Sequence, residues 1–499
     1  MVENYFQPER VAPAVNELNE PLSTLNKKTT PEFPEVKGRT SVFAFLLGMA
    51  IILAAIVLGK SYTFFLAFLI ISAFFTFLWR NTPRPWILLV STVASTPLTI
   101  SRYQFTCSVI FAVWFTIFRP GYLSKLPKWL YTVFCLALAG LVVSSIEWIN
   151  VDVLRSIGRQ SVFFLNLTLG PFILLPIIYC RMAKSADTAA DLWGLLFCLI
   201  VPSTLLLLAA KLFGTVTNAW EASRHFASGP EGFYMYQLGR IYVNFLRTEV
   251  GFILASLVCA ATAITVSPVK TRYRLLAGVC LCSNAYLLLV TASFGSIFAC
   301  FCGLGAIFFT QFRFVNVTKV IMSATAVCCL LLLTYVMSPP SIKEYLAERY
   351  AHRVTHADTD RLTLWARAVD YYLAHPLGVG FTLAVSGKER SFTHNDYLAF
   401  TISYSILGGL AYASFVLGLL FSFLRKRKNT MNDPSLLAVY LAGLGVIIAV
   451  ALNSITDHMT ENRWYYTFIW SVVWYSYFCS AKREPVRENM SSETAFWGK

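Results

Sequence analysis

Between residues 338 and 397 the chain gathers side chains suited to handling a phosphate and a proton. Arg349, Arg353, Arg361, Arg367 and Arg390 are mixed there with Glu344, Glu348, Asp358, Asp360 and Asp370. A guanidinium presents paired N–H donors that match the oxygens of a phosphate. His394, followed by Asn395, Asp396 and Tyr397, stands just before a long apolar run. Imidazole titrates near neutral pH and suits removal of a proton from a sugar hydroxyl. Together these residues sketch glycosyl transfer from a lipid pyrophosphate. Arginines would stabilise the departing charge, His394 would activate the acceptor, and Asn395 would orient the histidine.

Local spacing says how they are presented. Arg361 and Trp365 are four residues apart, so on a helix they share a face. The stretch that opens the segment, SIKEYLAERYAHRV, also has helical spacing. His375-Pro376-Leu377-Gly378-Val379-Gly380 then breaks the helix into a turn. Competing readings are structural. Arg361 can pair with Asp358 or Asp360, and His394 can cap the helix that follows it. His352 and His356 would share a helical face near Asp358, as two zinc ligands do. They lack a third ligand and the glutamate of a zinc protease, so no metal or other cofactor is assigned.

The elements that must position these groups are helices in a membrane. Charged residues make up 13% of the 499 residues and hydrophobic ones 57%, against roughly a quarter charged in soluble domains. The apolar residues come in blocks, and about 20 in a row cross a bilayer as a helix. Such runs fall near 41–58, 62–79, 86–101, 104–118, 129–147, 162–180, 192–213, 248–267, 273–290, 293–311, 317–337, 398–424, 436–453 and 464–480. The expected fold is an all-α integral membrane protein of about 12 to 14 transmembrane helices. Two long loops, about 214–247 and 338–397, are expected on the outer side and to contain short helices.

Charge sets the orientation. The net charge of +15 lies mostly in short clusters between apolar runs, such as Arg425-Lys426-Arg427-Lys428. That is the positive-inside pattern, which replaces a nucleic-acid partner as the explanation of the basic balance. All six histidines (His225, His352, His356, His375, His394 and His458) then fall in outside segments. Titratable groups collected on one face point to surface chemistry rather than a transport path. The twelve cysteines lie within or at the ends of spans, and no disulfide framework follows. Residues 1–40 are polar and Pro-rich, which predicts a disordered cytoplasmic tail with no cleavable signal. The membrane domain is expected over 41–480 and a second cytoplasmic tail over 481–499.

DTDRLTLWARAVDYYLAHPLGVGF followed by HNDYLAF resembles the O-antigen ligase and polymerase family of bacterial inner-membrane enzymes. That family combines Arg-x3-Trp, a Pro-x-Gly-x-Gly turn and His-Asn before a span. The motifs cover about 40 residues, and the hydropathy layout extends the likeness along most of the chain. The resemblance implies a glycan donor on undecaprenyl pyrophosphate, used at the periplasmic face without a metal ion. The acceptor would be lipid A–core for a ligase, or another lipid-linked glycan for a polymerase. Arg361 matches the motif arginine and His394 the motif histidine; Trp365 and Arg367 lie on the same helix as substrate contacts. An arginine before the span that follows the first long loop is also expected, and Arg240 and Arg247 both compete for that place. Thr291-Ala292-Ser293-Phe294-Gly295 departs from the family's Thr-x-Ser-Arg-Gly by lacking the arginine. A lipid-linked oligosaccharide flippase is the alternative outside the enzyme class.

Overall fold

The computed structural model of the chain describes residues 126–148, 164–180, 188–213, 215–219, 234–238, 241–244, 249–291, 293–312, 317–380, 395–430, 433–456 and 463–480. Six helices among these are long and apolar enough to cross a membrane. The chain is a helical, multi-pass membrane protein. Each apolar run expected from residue 129 onward falls on a helix. The four earlier runs and both tails lie outside the described residues, so the expected total of spans does too.

The first helix, α1, is Lys128–Trp148. A π-helical segment, Leu165–Leu174, leads into α2, Leu175–Cys180. Pro171 inside that segment lacks an amide donor, and its own carbonyl accepts the Trp474 indole at 2.7 Å. A second rod joins α3 (Thr188–Gly194), a π segment (Leu195–Ile200) and α4 (Val201–Phe213).

The loop after α4 corrects the sequence-based expectation. It carries a three-stranded antiparallel sheet, β1 (Thr215–Ala219), β2 (Tyr234–Leu238) and β3 (Ile241–Asn244), in the order β1-β2-β3. Thr215, Val216, Tyr234, Tyr236, Ile241, Tyr242 and Val243 are β-branched or aromatic, types that fit a pleated surface better than a short exposed helix. Leu238 pairs with Ile241, which leaves two residues between β2 and β3.

Next come α5 (Glu249–Val266), α6 (Thr271–Thr291), α7 (Phe294–Phe312) and α8 (Val317–Met337). The second long loop is also corrected. Among its described residues it holds, instead of short helices, one 35-residue helix, α9, Pro340–Ala374. Proline suits a helix's first turn. Asp358, Thr359 and Asp360 are weak helix formers, but each costs only about 0.5 kcal/mol relative to alanine, too little to break a long helix. Three helices complete the chain: α10 (Asp396–Thr430), α11 (Pro434–Thr456) and α12 (Arg463–Ser480).

The interior is built from α5, α11 and the later part of α12, whose side chains are almost all buried. Close approach rests on small residues, as in other membrane bundles. A Cβ on Gly303 of α7 would lie 2.6 Å from the Cys259 sulfur of α5 and 2.7 Å from the Gly445 carbonyl of α11. By contrast α6, α7 and α8 leave large apolar residues such as Val279, Phe301 and Met322 exposed, the pattern of lipid-facing helices. Helix α1 runs antiparallel to α10: Trp129 sits on Gly418, and Gly140 sits on the Tyr404 carbonyl and Gly408. Glu147 therefore arrives at the end of the bundle that begins with Asn395.

Candidate active site

The three motif pieces of the second loop, 361–368, 376–380 and 395–403, form one structural unit. Its centre is a break in α10. Tyr404 (φ −129°, ψ 31°) and Ser405 (φ 62°, ψ −177°) leave helical geometry, which frees carbonyls upstream. The amides of Val379 and Gly380 occupy them, donating to Ile402 O and Ser403 O at 2.9 Å each. A foreign backbone inserted in the ladder is a sufficient cause of the kink. Ser405 stands in a region nearly reserved for glycine, at a cost of about 1–3 kcal/mol. Its hydroxyl accepts the Leu407 amide at 3.3 Å and so caps the second piece of the helix.

The inserted segment is shaped to enter. Helix α9 ends where the His375 amide reaches both Tyr371 O and Tyr372 O, at 3.1 and 3.0 Å, and Pro376 cannot continue it. Gly378 N–H closes a turn onto His375 O at 3.0 Å. Gly378 and Gly380 hold φ of 90° and 75°, values that glycine adopts without strain. Val379 then packs with Ala368 of α9 and Ile402 of α10, flanked by Tyr371, Tyr372 and Leu398. Apolar contact and two backbone hydrogen bonds thereby fix α9 against the start of α10.

Beneath that start lies a buried polar layer. Asn395 caps α10, its side-chain oxygen accepting Leu398 N–H at 3.1 Å. Asp396 is fully buried and accepts from the Tyr412 hydroxyl at 3.4 Å. Tyr412 also lies 2.8 Å from the Ser454 hydroxyl. A phenol has one proton, so when Tyr412 donates to the carboxylate, Ser454 donates to Tyr412. Next along α11, Asn453 Oδ1 accepts from Ser296 at 3.3 Å, and Ser293 donates to Ser296 at 2.9 Å. Two polar strings from different helices thus meet at consecutive residues of α11. The Asn453 side-chain nitrogen is buried with no hydrogen-bond partner among the described residues.

One side-chain pair joins α1 to this region. His375 Nδ1 lies 3.1 Å from Glu147 Oε2, with 43% and 27% of the two side chains exposed. Tyr371 lies against the imidazole, ring centres 5.0 Å apart.

The sequence-predicted residues divide into three groups. His394, Arg240 and Arg247 lie outside the described residues. Arg361 is on α9 seven residues before Ala368, two helical turns along the face that meets α10; its side chain lies outside the described residues, as do those of His352 and His356. Trp365 is on the same face, partly buried, and its indole N–H has no acceptor among the described residues. Arg367 is exposed, one position off that face. Asn395 is buried at the head of α10.

Sequence reasoning missed Glu147, Asp396, Tyr412, Asn453 and Ser454. A carboxylate closing an otherwise apolar run was a legible signal for Glu147. Tyr412 and Ser454 are each one of several hydroxyls in apolar helices, and only tertiary packing distinguishes them. The chain matches no protein-family model and no curated protein.

Proposed function

We propose that the protein is a membrane glycosyltransferase of the O-antigen ligase kind. It moves a glycan from undecaprenyl pyrophosphate to a sugar hydroxyl, lipid A–core being the acceptor, at the periplasmic face of the bacterial inner membrane. One observation carries the reading: the arginine-bearing helix, the Pro-Leu-Gly-Val-Gly turn and the Asn395 helix start, separate in sequence, are locked together by Val379 and Gly380 in the broken ladder of α10. Fixed relative positioning of the helix, the turn and the helix start is what a transfer site needs.

The reaction is a single displacement with inversion. His394 takes the acceptor proton, the acceptor oxygen bonds to the anomeric carbon, and the bond to the pyrophosphate oxygen breaks with its electron pair. Arg361, with Arg240 or Arg247, holds the departing pyrophosphate. Polymerisation of lipid-linked repeats would use the same residues. A flippase is less well supported, because an ionisable path belongs in mid-membrane. Among the described residues the fully buried carboxylates, Asp191 and Asp396, sit in the first turns of their helices.

The test is transfer by purified protein in detergent and chelator, using undecaprenyl-pyrophosphate-linked repeats with and without lipid A–core. Glycan-bearing core identifies a ligase, and a ladder of lipid-linked chains identifies a polymerase. Loss of product in folded His394→Ala and Arg361→Ala supports the site. Full activity in both variants overturns it, and a product that retains the donor's anomeric configuration excludes the single displacement.

A further inference from the structure

In an unbroken α10 the carbonyls of Ile402 and Ser403 would accept the amides four residues on, those of Ile406 and Leu407. Instead they hold Val379 and Gly380, and the Leu407 amide has turned to the Ser405 hydroxyl. The two carbonyls therefore have alternative partners within their own helix. Ser405 holds a strained φ of 62° that a continuous helix would relieve. The inserted segment begins directly after His375, which is paired at its partly exposed imidazole with Glu147 of α1. That pair has no part in the displacement described above.

We propose that residues 376–380 are a two-position strap and that Glu147–His375 is its latch. Docked, the strap keeps α10 broken and holds the piece 396–403, with Asp396, in its present direction. Undocked, Ile402 O and Ser403 O take the amides of Ile406 and Leu407, Ser405 relaxes, and the 396–403 piece swings into line with the rest of α10. The strap exchanges two intersegment hydrogen bonds for two within the helix, so the two states conserve the backbone pairing at these carbonyls. Such a two-state element is what lets a packed bundle move between discrete arrangements. The inference stands on backbone geometry and holds whatever reaction the site performs.

Hydrogen exchange of the full-length protein in lipid nanodiscs tests it. In the wild type, the amides of Gly378, Val379 and Gly380, the hydrogen-bonded ones of 376–380, exchange through local opening, faster than those of α11. Glu147→Gln and His375→Asn speed that exchange by about tenfold, the effect of losing roughly one charge-assisted hydrogen bond, and leave α5 and α11 unchanged. Substitutions at Ser405 separate the two states. Ser405→Gly removes the strain of the docked state and weakens the straight helix, so exchange at 376–380 slows. Ser405→Ala keeps the strain, loses the cap and favours the straight helix, so exchange speeds. Exchange of 376–380 no faster than that of α11, or Ser405→Gly and Ser405→Ala shifting it in the same direction, overturns the strap.

Discussion

A Cβ placed on Gly378 would lie 2.6 Å from the backbone nitrogen of Ser405, and both residues hold positive φ, 90° and 62°. The turn after α9 and the break in α10 are therefore one fitted joint, in which only Ser405 holds a strained conformation. Gly378→Ala meets both the φ penalty and a backbone clash. It is expected to cost about 2–4 kcal/mol, read as a lower unfolding midpoint in detergent, while Gly278→Ala, with nothing within 4 Å of its Cβ, serves as the tolerated control.

Gly140 makes the corresponding joint from α1, its missing Cβ facing the Tyr404 carbonyl and Gly408. Gly140→Val pushes α1 off α10 and separates Glu147 from His375. Thermal stability in detergent is expected to fall by an amount typical of overpacking, about 1–3 kcal/mol. The neighbouring Val142→Ala, at a residue 62% exposed, leaves it unchanged.

Asn395 has two assignments that can be separated. As an N-cap it is replaceable by serine with little loss, whereas alanine costs about 1 kcal/mol. As the partner of His394 it is not replaceable by serine. We expect Asn395→Ser to keep wild-type stability and lose most glycan transfer. Wild-type transfer in Asn395→Ser would reduce Asn395 to a cap.

Tyr412 joins Asp396 to Ser454 across α10 and α11. Tyr412→Phe leaves a buried carboxylate short of a donor, and the expected loss is about 1.5–3 kcal/mol. Ser454→Ala acts through the same hydroxyl. A double-mutant cycle should return a coupling of about 0.5 kcal/mol or more, and strict additivity would mean the string does not act as a unit.

Arg361 and Arg367 are a matched pair for testing the face of α9. Arg361 stands on α9 two helical turns before Ala368, whereas Arg367 is exposed. Under the proposed reaction Arg361→Ala is expected to lower turnover by about a hundredfold or more, the effect of removing one donor to a developing anion. Arg367→Ala should change it little. Equal losses would place the donor phosphates on another surface.

What the sequence disclosed follows from the range of each interaction. Apolar runs were read directly as helices because bilayer length and backbone self-satisfaction are local requirements. The turn at Pro376 was legible for the same reason. The loop after α4 was misread because Tyr234–Leu238 and Ile241–Asn244 are too short to declare themselves until paired. Helix α9 was cut in two by weak helix formers that its length overrides. The break at Ser405 was not read from the sequence: Gly408 and Gly409 follow it by three and four residues, but its cause lies 25 residues upstream at Gly380. Asp396 was visible beside His394 and Asn395, but its burial depends on α11.

The broken helix also bears on how the protein meets membranes of different thickness. At 35 residues, α10 would be roughly 52 Å long if straight, well beyond a hydrocarbon core of about 30 Å. A rigid rod of that length answers a thinner bilayer by tilting as a whole, which would drag Asn395 and Asp396 sideways. Two pieces joined at Ser405 can tilt separately. The short piece is tied to α9 through Ile402 and to α11 through Tyr397. The first turns of the long piece are held there too, by Tyr412 against Asp396 and Ser454, so only the far end of the long piece follows the lipid. A bend at the joint would take up part of a thickness mismatch that a straight rod would pass on to Asn395 and Asp396 in full.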